Sequence, residues 1–263
     1  MSENRCTLTV NENGVVHLRL TRPDARNAID LAMVEALADA IDTVATLDTA
    51  RSLLISGEGP SFCVGGDLNY FTERLESLSD EFTQLISLWH RALSVLAALP
   101  FPVVTAVHGG TAGGGLGLVW CADHVIAAES TKIATGFTDL GLSGDGGSSW
   151  HLPRLIGLRR AQELLLDNRV LDAETALAWG LVNRVVPDGD LLDCAIDQAH
   201  RYCVHSITAT RQIKRLLAAS THTSYTEHLA TEVEAMIECS TSSDARIGIS
   251  SFVERRPASF TDR

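Results

Sequence analysis

Lysine is nearly missing from this chain: Lys132 and Lys214 are the only two among 21 basic residues. Contacts to phosphate therefore fall to arginine, whose planar fork of donors suits them. Excess positive charge is missing too. The formal net charge is −12, which argues against a protein that coats nucleic acid or an anionic membrane. The six cysteines (Cys6, Cys63, Cys121, Cys194, Cys203 and Cys239) contain no Cys-x-x-Cys pair. Zinc ligation and a secreted disulfide framework are not expected, and reduced, buried thiols are. The opening Met-Ser-Glu-Asn-Arg-Cys holds no apolar signal core, so a cytoplasmic location is the expectation.

Nucleotide and metal motifs are also wanting. Gly144-x-Gly146-x-x-Ser149 fails the dinucleotide pattern at its last position, no Gly-Lys-Ser/Thr occurs, and none of the nine histidines belongs to a His-Glu-x-x-His. Nothing here calls for a prosthetic group or a metal. From Ala92 to Ala122 there is no charged residue. Pro100, Pro102 and a glycine cluster break that run before the ~18–20 apolar residues a membrane span needs. It reads as buried core.

What is present is 45% hydrophobic and 21% charged, the composition of an ordinary globular protein. Strands are predicted over residues 7–10 and 15–20, around the turn signal Asn11-Glu-Asn-Gly14. A helix over 30–47, capped by Asp30, carries Met33, Val34, Leu37, Ile41 and Val44 at helical spacing. A strand at 53–56 and a helix marked by Leu85, Leu88, Trp89, Ala92, Leu93 and Leu96 follow. Further strands are predicted at 103–107, 125–128 and 132–135, with a short helix through Trp120. Beyond Gly157 the pattern turns helical: 159–166, 172–179, 188–204, 208–219, 225–239 and 243–254. Strands alternating with helices predict an α/β core with parallel strands.

Two strand-to-glycine turns carry the chemistry. In the stretch from Leu99 to Gly117 an apolar strand runs into Gly113, Gly114 and Gly115 and then a small-residue helix. Glycines let the backbone approach a ligand, and the first N–H groups of a helix have no internal acceptor. At the positive end of the helix dipole they suit an oxyanion. Upstream, Ser61-Phe-Cys-Val-Gly-Gly-Asp-Leu68 follows the strand at 52–56 and places Gly65 and Gly66 in a similar turn. Two such turns can offer one N–H each to a single oxygen.

With Arg26-Asn27-Ala28 and the C-terminal Phe252-Val-Glu-Arg-Arg256, these turns resemble the crotonase family of acyl-CoA enzymes, also called the enoyl-CoA hydratase/isomerase family. The resemblance spans residues 8–260. It implies an α/β fold with a ββα superhelix core over 1–200 and a helical oligomerisation region over 201–263. That region would build a homotrimer, or a hexamer of two trimers. An acyl-CoA thioester is the implied substrate, with coenzyme A as part of it. Gly66 and Gly114 would donate to the thioester oxygen. The coenzyme's adenine and upper arm would lie near Arg26, Asn27, Ala28, Gly65, Gly66, Asp67 and Leu68. Arg22 and Arg26 would meet phosphates, and Phe252 and Arg256 would reach in from a neighbouring subunit.

The resemblance also bears on which side chain moves the proton. The two glutamates of the family's hydratases fall on Gly117 and Phe137, neither of which can act as acid or base. Asp145, in the stretch from Gly141 to Arg154, stands where phenylacetate-pathway enoyl-CoA isomerases carry their single catalytic aspartate. Burial against Phe137, Trp89 or Leu142 is expected to make it a stronger base. Asp139 is a rival, near the place of an acid in the family's dienoyl-CoA isomerases. His90, in Leu88-Trp-His-Arg91, opens a hydrolytic alternative. Aroyl-CoA dehalogenases of the family pair a histidine on this helix with a nucleophilic aspartate at the Asp145 position. Those enzymes carry a tryptophan at the Phe137 position and an aromatic at the Gly66 position. Plainer readings stand beside these: an aspartate bonded to its own turn, a hydrogen-bonded helix histidine, or a catalytically silent acyl-CoA binder. The expectation is an enoyl-CoA isomerase with Asp145 as base.

Overall fold

In the computed structural model, which describes residues 5–260, the first hairpin pairs β1 (Cys6–Val10) with β2 (Val15–Leu20) antiparallel. Asn11 closes it, its side-chain oxygen accepting from the N–H groups of Asn13 and Val15, the local bonding that makes asparagine a turn residue. Helix α1 (Leu31–Ala45) starts where Asp30 accepts from Met33 N at 2.8 Å, an N-cap. Then come β3 (Ser52–Gly57), α2 (Leu68–Thr72), α3 (Leu78–Ala97), β4 (Val103–Val107), β5 (Gly110–Ala112) and α4 (Gly117–Trp120). They are followed by β6 (His124–Ala128), β7 (Lys132–Ala134), α5 (Ser148–Ile156), α6 (Leu158–Leu166), β8 (Leu171–Asp172), α7 (Ala173–Trp179), β9 (Arg184–Val186) and α8 (Leu191–Cys203). Helices α9 (Ile207–Ala219), α10 (Tyr225–Thr241) and α11 (Ser243–Val253) end the described chain.

The larger sheet has the order β1-β2-β3-β4-β6-β9 and is parallel beyond its hairpin; the smaller has the order β5-β7-β8. β4 runs on into β5 and β6 into β7, so successive strand–strand–helix units give one strand to each sheet. Side chains alternate across the large sheet. Leu53, Ile55, Val103, Val107, Val125 and Ala127 enter the main core, while Leu54, Val104, Ala106, Ile126 and Ala128 meet Ala195 and Ala199 of α8 on the other face. Both faces are covered, as a mostly parallel sheet requires.

Asn27 pins the turn leading into this core. It is fully buried with φ 56°, and its amide donates to the carbonyls of Glu58, Ser61 and Phe62 while its oxygen accepts from Arg22 N. The C-terminal helices bury far less. Among the described residues, Gln212 is the only buried residue of α9 and Ala235 of α10. Lys214 ties α9 to the body, donating to Asp123 Oδ2 at 2.5 Å and to the Phe101 carbonyl at 3.0 Å. Ile213, Leu217, Val233, Met236, Ile237 and Ile249 are each more than half exposed. No helix among the described residues is long and apolar enough to cross a membrane.

Candidate active site

The two glycine turns meet main chain to main chain. Gly65 (φ 87°) and Gly113 (φ 54°) both lie in the left-handed region, which favours glycine. A Cβ on Gly65 would stand 2.9 Å from the Ala112 oxygen and 3.1 Å from Gly113 Cα. Gly66 pairs with Ile29 as a parallel bridge made by Ile29 N to Gly65 O (2.7 Å) and Asp67 N to Ile29 O (2.9 Å). Its own N–H therefore points away from Ile29. Gly114 sits in the first turn of the 3-10 helix Gly113–Leu116, where an N–H lacks a helical acceptor. The carbonyl of Gly114 accepts from Nε1 of the fully buried Trp89 at 3.1 Å.

Gly66 and Gly114 both line a cavity of about 640 Å³. Phe71, Phe82, Leu85, Ile86 and Trp89 form one wall, and Phe137, Leu140 and Leu142 another. The rings of Phe71 and Phe82 stand edge to face, 4.8 Å apart. Its side-chain polar groups are few: Asp67, Asn69, His90, Thr135, Ser143 and Asp145. Apolar walls with sparse polar groups suit a small-molecule ligand.

Asp145 stands on a loop whose glycines, Gly146 (φ 60°) and Gly147 (φ 77°), are left-handed. The loop is pinned where Ser148 N donates to the Asp145 carbonyl (3.1 Å) and Trp120 Nε1 to Ser148 Oγ (3.0 Å). A Cβ on Gly114 would lie 2.9 Å from Asp145 Oδ2, so the carboxylate is set against the turn. Oδ1 is 2.6 Å from Nε2 of His90. The sealed apolar setting expected from Phe137, Trp89 and Leu142 is thus corrected: the Asp145 side chain is 21% exposed and shares its site with an imidazole that is 52% exposed.

The same loop fills the space beside position 117. A Cβ on Gly117 would lie 2.6 Å from Leu93 Cδ1 and 3.1 Å from the Gly146 oxygen. No acidic side chain fits there without a shift. Phe137 is a buried wall residue. Asp139 lies exposed in the turn Thr138–Leu140 and outside the cavity lining.

The residues expected around the coenzyme divide. Ala28, Gly66, Asp67 and Leu68 line the cavity, and Gly65 supports it from behind. Arg22 does not stand free for a phosphate: its guanidinium pairs with Asp67 (2.7 Å) and Asp30 (3.4 Å) and donates to the Ala28 carbonyl. Asn27 is likewise committed to backbone groups, as described above. Both side chains hold the scaffold. Arg26 is exposed, at φ 52°. Phe252, 86% exposed, and Arg256, paired with Glu254, lie outside the cavity lining of their own chain. Asp67 caps α2 through Asn69 N and Tyr70 N. Burial pushes its carboxyl up, but the Tyr70 N–H, the Arg22 guanidinium and the Asn69 N–H outweigh burial and hold it below its ordinary 3.8. Sequence reasoning missed Phe71, Phe82 and Ile86. The spacing of Phe82, Ile86 and Trp89 along one helix was the available signal, and it reads equally as core.

Comparison with known proteins adds to this geometry. A profile described as enoyl-CoA hydratase/isomerase matches residues 10–263. The chain is 34% identical over 253 residues to the 1,2-epoxyphenylacetyl-CoA isomerase of Escherichia coli (strain K12), covering 96% of this chain and 97% of that one. It is 32% identical over 179 residues to 4-chlorobenzoyl coenzyme A dehalogenase-2 of an Arthrobacter species, covering 68% and 65%. Among solved structures, the enoyl-CoA hydratase from Bacillus anthracis superposes with a TM-score of 0.92 at 28% identity, covering 98% of this chain and all of that one.

Proposed function

The chain belongs to the enoyl-CoA hydratase/isomerase family, and we propose that it moves the double bond of an enoyl-CoA thioester with Asp145 as the single base. Crotonase-fold relatives and a site with two backbone donors support an acyl-CoA substrate. The carrying observation is that Asp145 sets a carboxylate against the Gly114 turn, while position 117 is filled and position 137 is phenylalanine.

In this mechanism the thioester oxygen accepts from Gly66 and Gly114. The Asp145 carboxylate takes a proton from the carbon at one end of the three-carbon unit, and the electron pair moves onto that oxygen as a dienolate. The two N–H groups stabilise the charge by about 2.7–4 kcal/mol per donor. The protonated Asp145 then returns its proton at the other end, so no water is consumed. His90, bonded to Oδ1, orients the carboxylate. Coenzyme A enters as part of the substrate. The exposed apolar faces of α9, α10 and α11 suit packing of residues 201–263 against further copies, as a trimer or a hexamer of two trimers.

Asp145→Asn tests the base. Proton exchange at the α or γ carbon, followed in deuterium oxide by nuclear magnetic resonance, is expected to vanish while acyl-CoA affinity stays near normal. Near-normal exchange removes Asp145 from the mechanism. One observation favours a second reading: the 2.6 Å contact of His90 with Asp145, together with the dehalogenase relative. There the Asp145 carboxylate attacks a halogen-bearing ring carbon of an aroyl-CoA, and the halide departs with the electron pair of its bond. Water deprotonated by His90 then hydrolyses the resulting ester to free Asp145 and a hydroxylated product. A covalent adduct on Asp145, found by mass spectrometry, decides for it.

A further inference from the structure

Gly66 is the root of α2, a helix of only five residues, too short to be stable by itself. A Cβ on Gly66 would lie 2.8 Å from Phe71 Cε2, so that ring rests on the donor's own Cα. Phe71 is wedged in turn against Phe82 of α3 and against Tyr70 (5.4 Å, 79°). Behind this pair the outer face of α2 is tied to α3. The Tyr70 hydroxyl donates to Glu81 Oε2 at 2.6 Å, and that hydrogen bond raises the Tyr70 pKa, keeping the donor protonated. Arg74 completes the tie: its guanidinium stacks 3.9 Å above the Tyr70 ring, donates to the Tyr70 carbonyl at 2.9 Å and lies 3.9 Å from Glu81.

We infer that Tyr70 and Glu81 form a positioning latch which, through α2 and Phe71, holds the Gly66 N–H in line with the substrate carbonyl. The inference rests on the reading of Gly66 as a carbonyl donor. Neither latch residue lines the cavity, so neither touches substrate; each acts on the donor through the short helix. Loosening the latch lets α2 rotate about its root and weakens one of the two hydrogen bonds that polarise the thioester.

The test places a thioester carrying a ¹³C-labelled carbonyl on Asp145→Asn protein, where it binds without turnover, and records the carbonyl stretch by infrared difference spectroscopy. The parent is expected to lower the stretch relative to the free thioester. Adding Tyr70→Phe or Glu81→Leu should return it part of the way, whereas Glu81→Gln, whose amide oxygen still accepts from Tyr70, should keep it. With Asp145 intact, Tyr70→Phe should lower kcat about tenfold, short of the 10²–10³ lost with a whole donor, at nearly constant KM. A lowered stretch left unmoved by both Tyr70→Phe and Glu81→Leu overturns the latch alone. No lowering in the parent overturns the donor reading and the latch together. Thermal midpoints separate either result from misfolding.

Discussion

The carboxylate of Asp145 occupies the place that a side chain at Gly114 would take, since an added Cβ there would stand 2.9 Å from Oδ2 and 3.8 Å from Trp89 Nε1. The glycine proposed to donate to the carbonyl is thus also the glycine that leaves room for Asp145.

Gly114→Ala should therefore injure catalysis more than folding. The backbone at 114 is not left-handed, so the new methyl strains only its contacts. Displacing Asp145 by a fraction of an ångström is expected to lower kcat about 10²-fold with a thermal midpoint close to that of the parent. Steady-state kinetics with calorimetric melting checks this, and unchanged kcat would contradict the described contact.

Gly117→Glu should not create a hydratase. The glutamate's Cβ meets Leu93 and the Gly146 carbonyl, and overpacking of this kind costs about 1–3 kcal/mol. The expected outcome is a lower midpoint of urea unfolding and no gain in water addition to an enoyl-CoA. Efficient hydration by this variant would show that the loop yields easily.

His90→Ala strips Asp145 Oδ1 of its partner. A hydrogen bond to a charged group contributes about 1.5–3 kcal/mol, so kcat should fall at least about tenfold. His90→Gln, which keeps an N–H donor, should recover part of the loss. An ester adduct accumulating on Asp145 in His90→Ala would instead favour the hydrolytic reading.

Asp67 makes a stability prediction with a definite sign. Its carboxyl is held below 3.8 in the folded chain, so the unfolded chain takes up the proton first. Its contribution is fully present above 3.8 and is lost as pH falls through the lower folded value. The stability gap between the parent and Asp67→Asn, from urea midpoints, should be steady near neutrality and narrow below pH 3.8. A gap that stays constant on acidification would refute this.

Much of this was legible in the residues. The hairpin at Asn11 and the helix after Asp30 each announce themselves by a local rule: an Asn-Gly turn in one case, a cap followed by a 3.6-residue apolar repeat in the other. The glycine turns were legible because glycine is the residue that left-handed backbone, as at Gly65 and Gly113, favours. Strands as short as β5, β8 and β9 carry too few residues to show a period of two. Helix α5 was hidden by Pro153 within it, and α2 by its brevity. The pairing of Arg22 was not legible because an arginine's partners, here Asp30 and Asp67, are set by the fold. The meeting of His90 with Asp145 joins residues far apart in the chain, and no local pattern encodes it.

Because Gly65 and Gly113 abut through backbone atoms, the two turns are held against each other by parts that every amino acid shares. Replacing Ile86 or Leu142, which line the cavity and take no part in that abutment, should reshape the chamber without parting the two turns. On the proposed reading, recognition of the acyl group can drift over such substitutions while the grip on the carbonyl stays put.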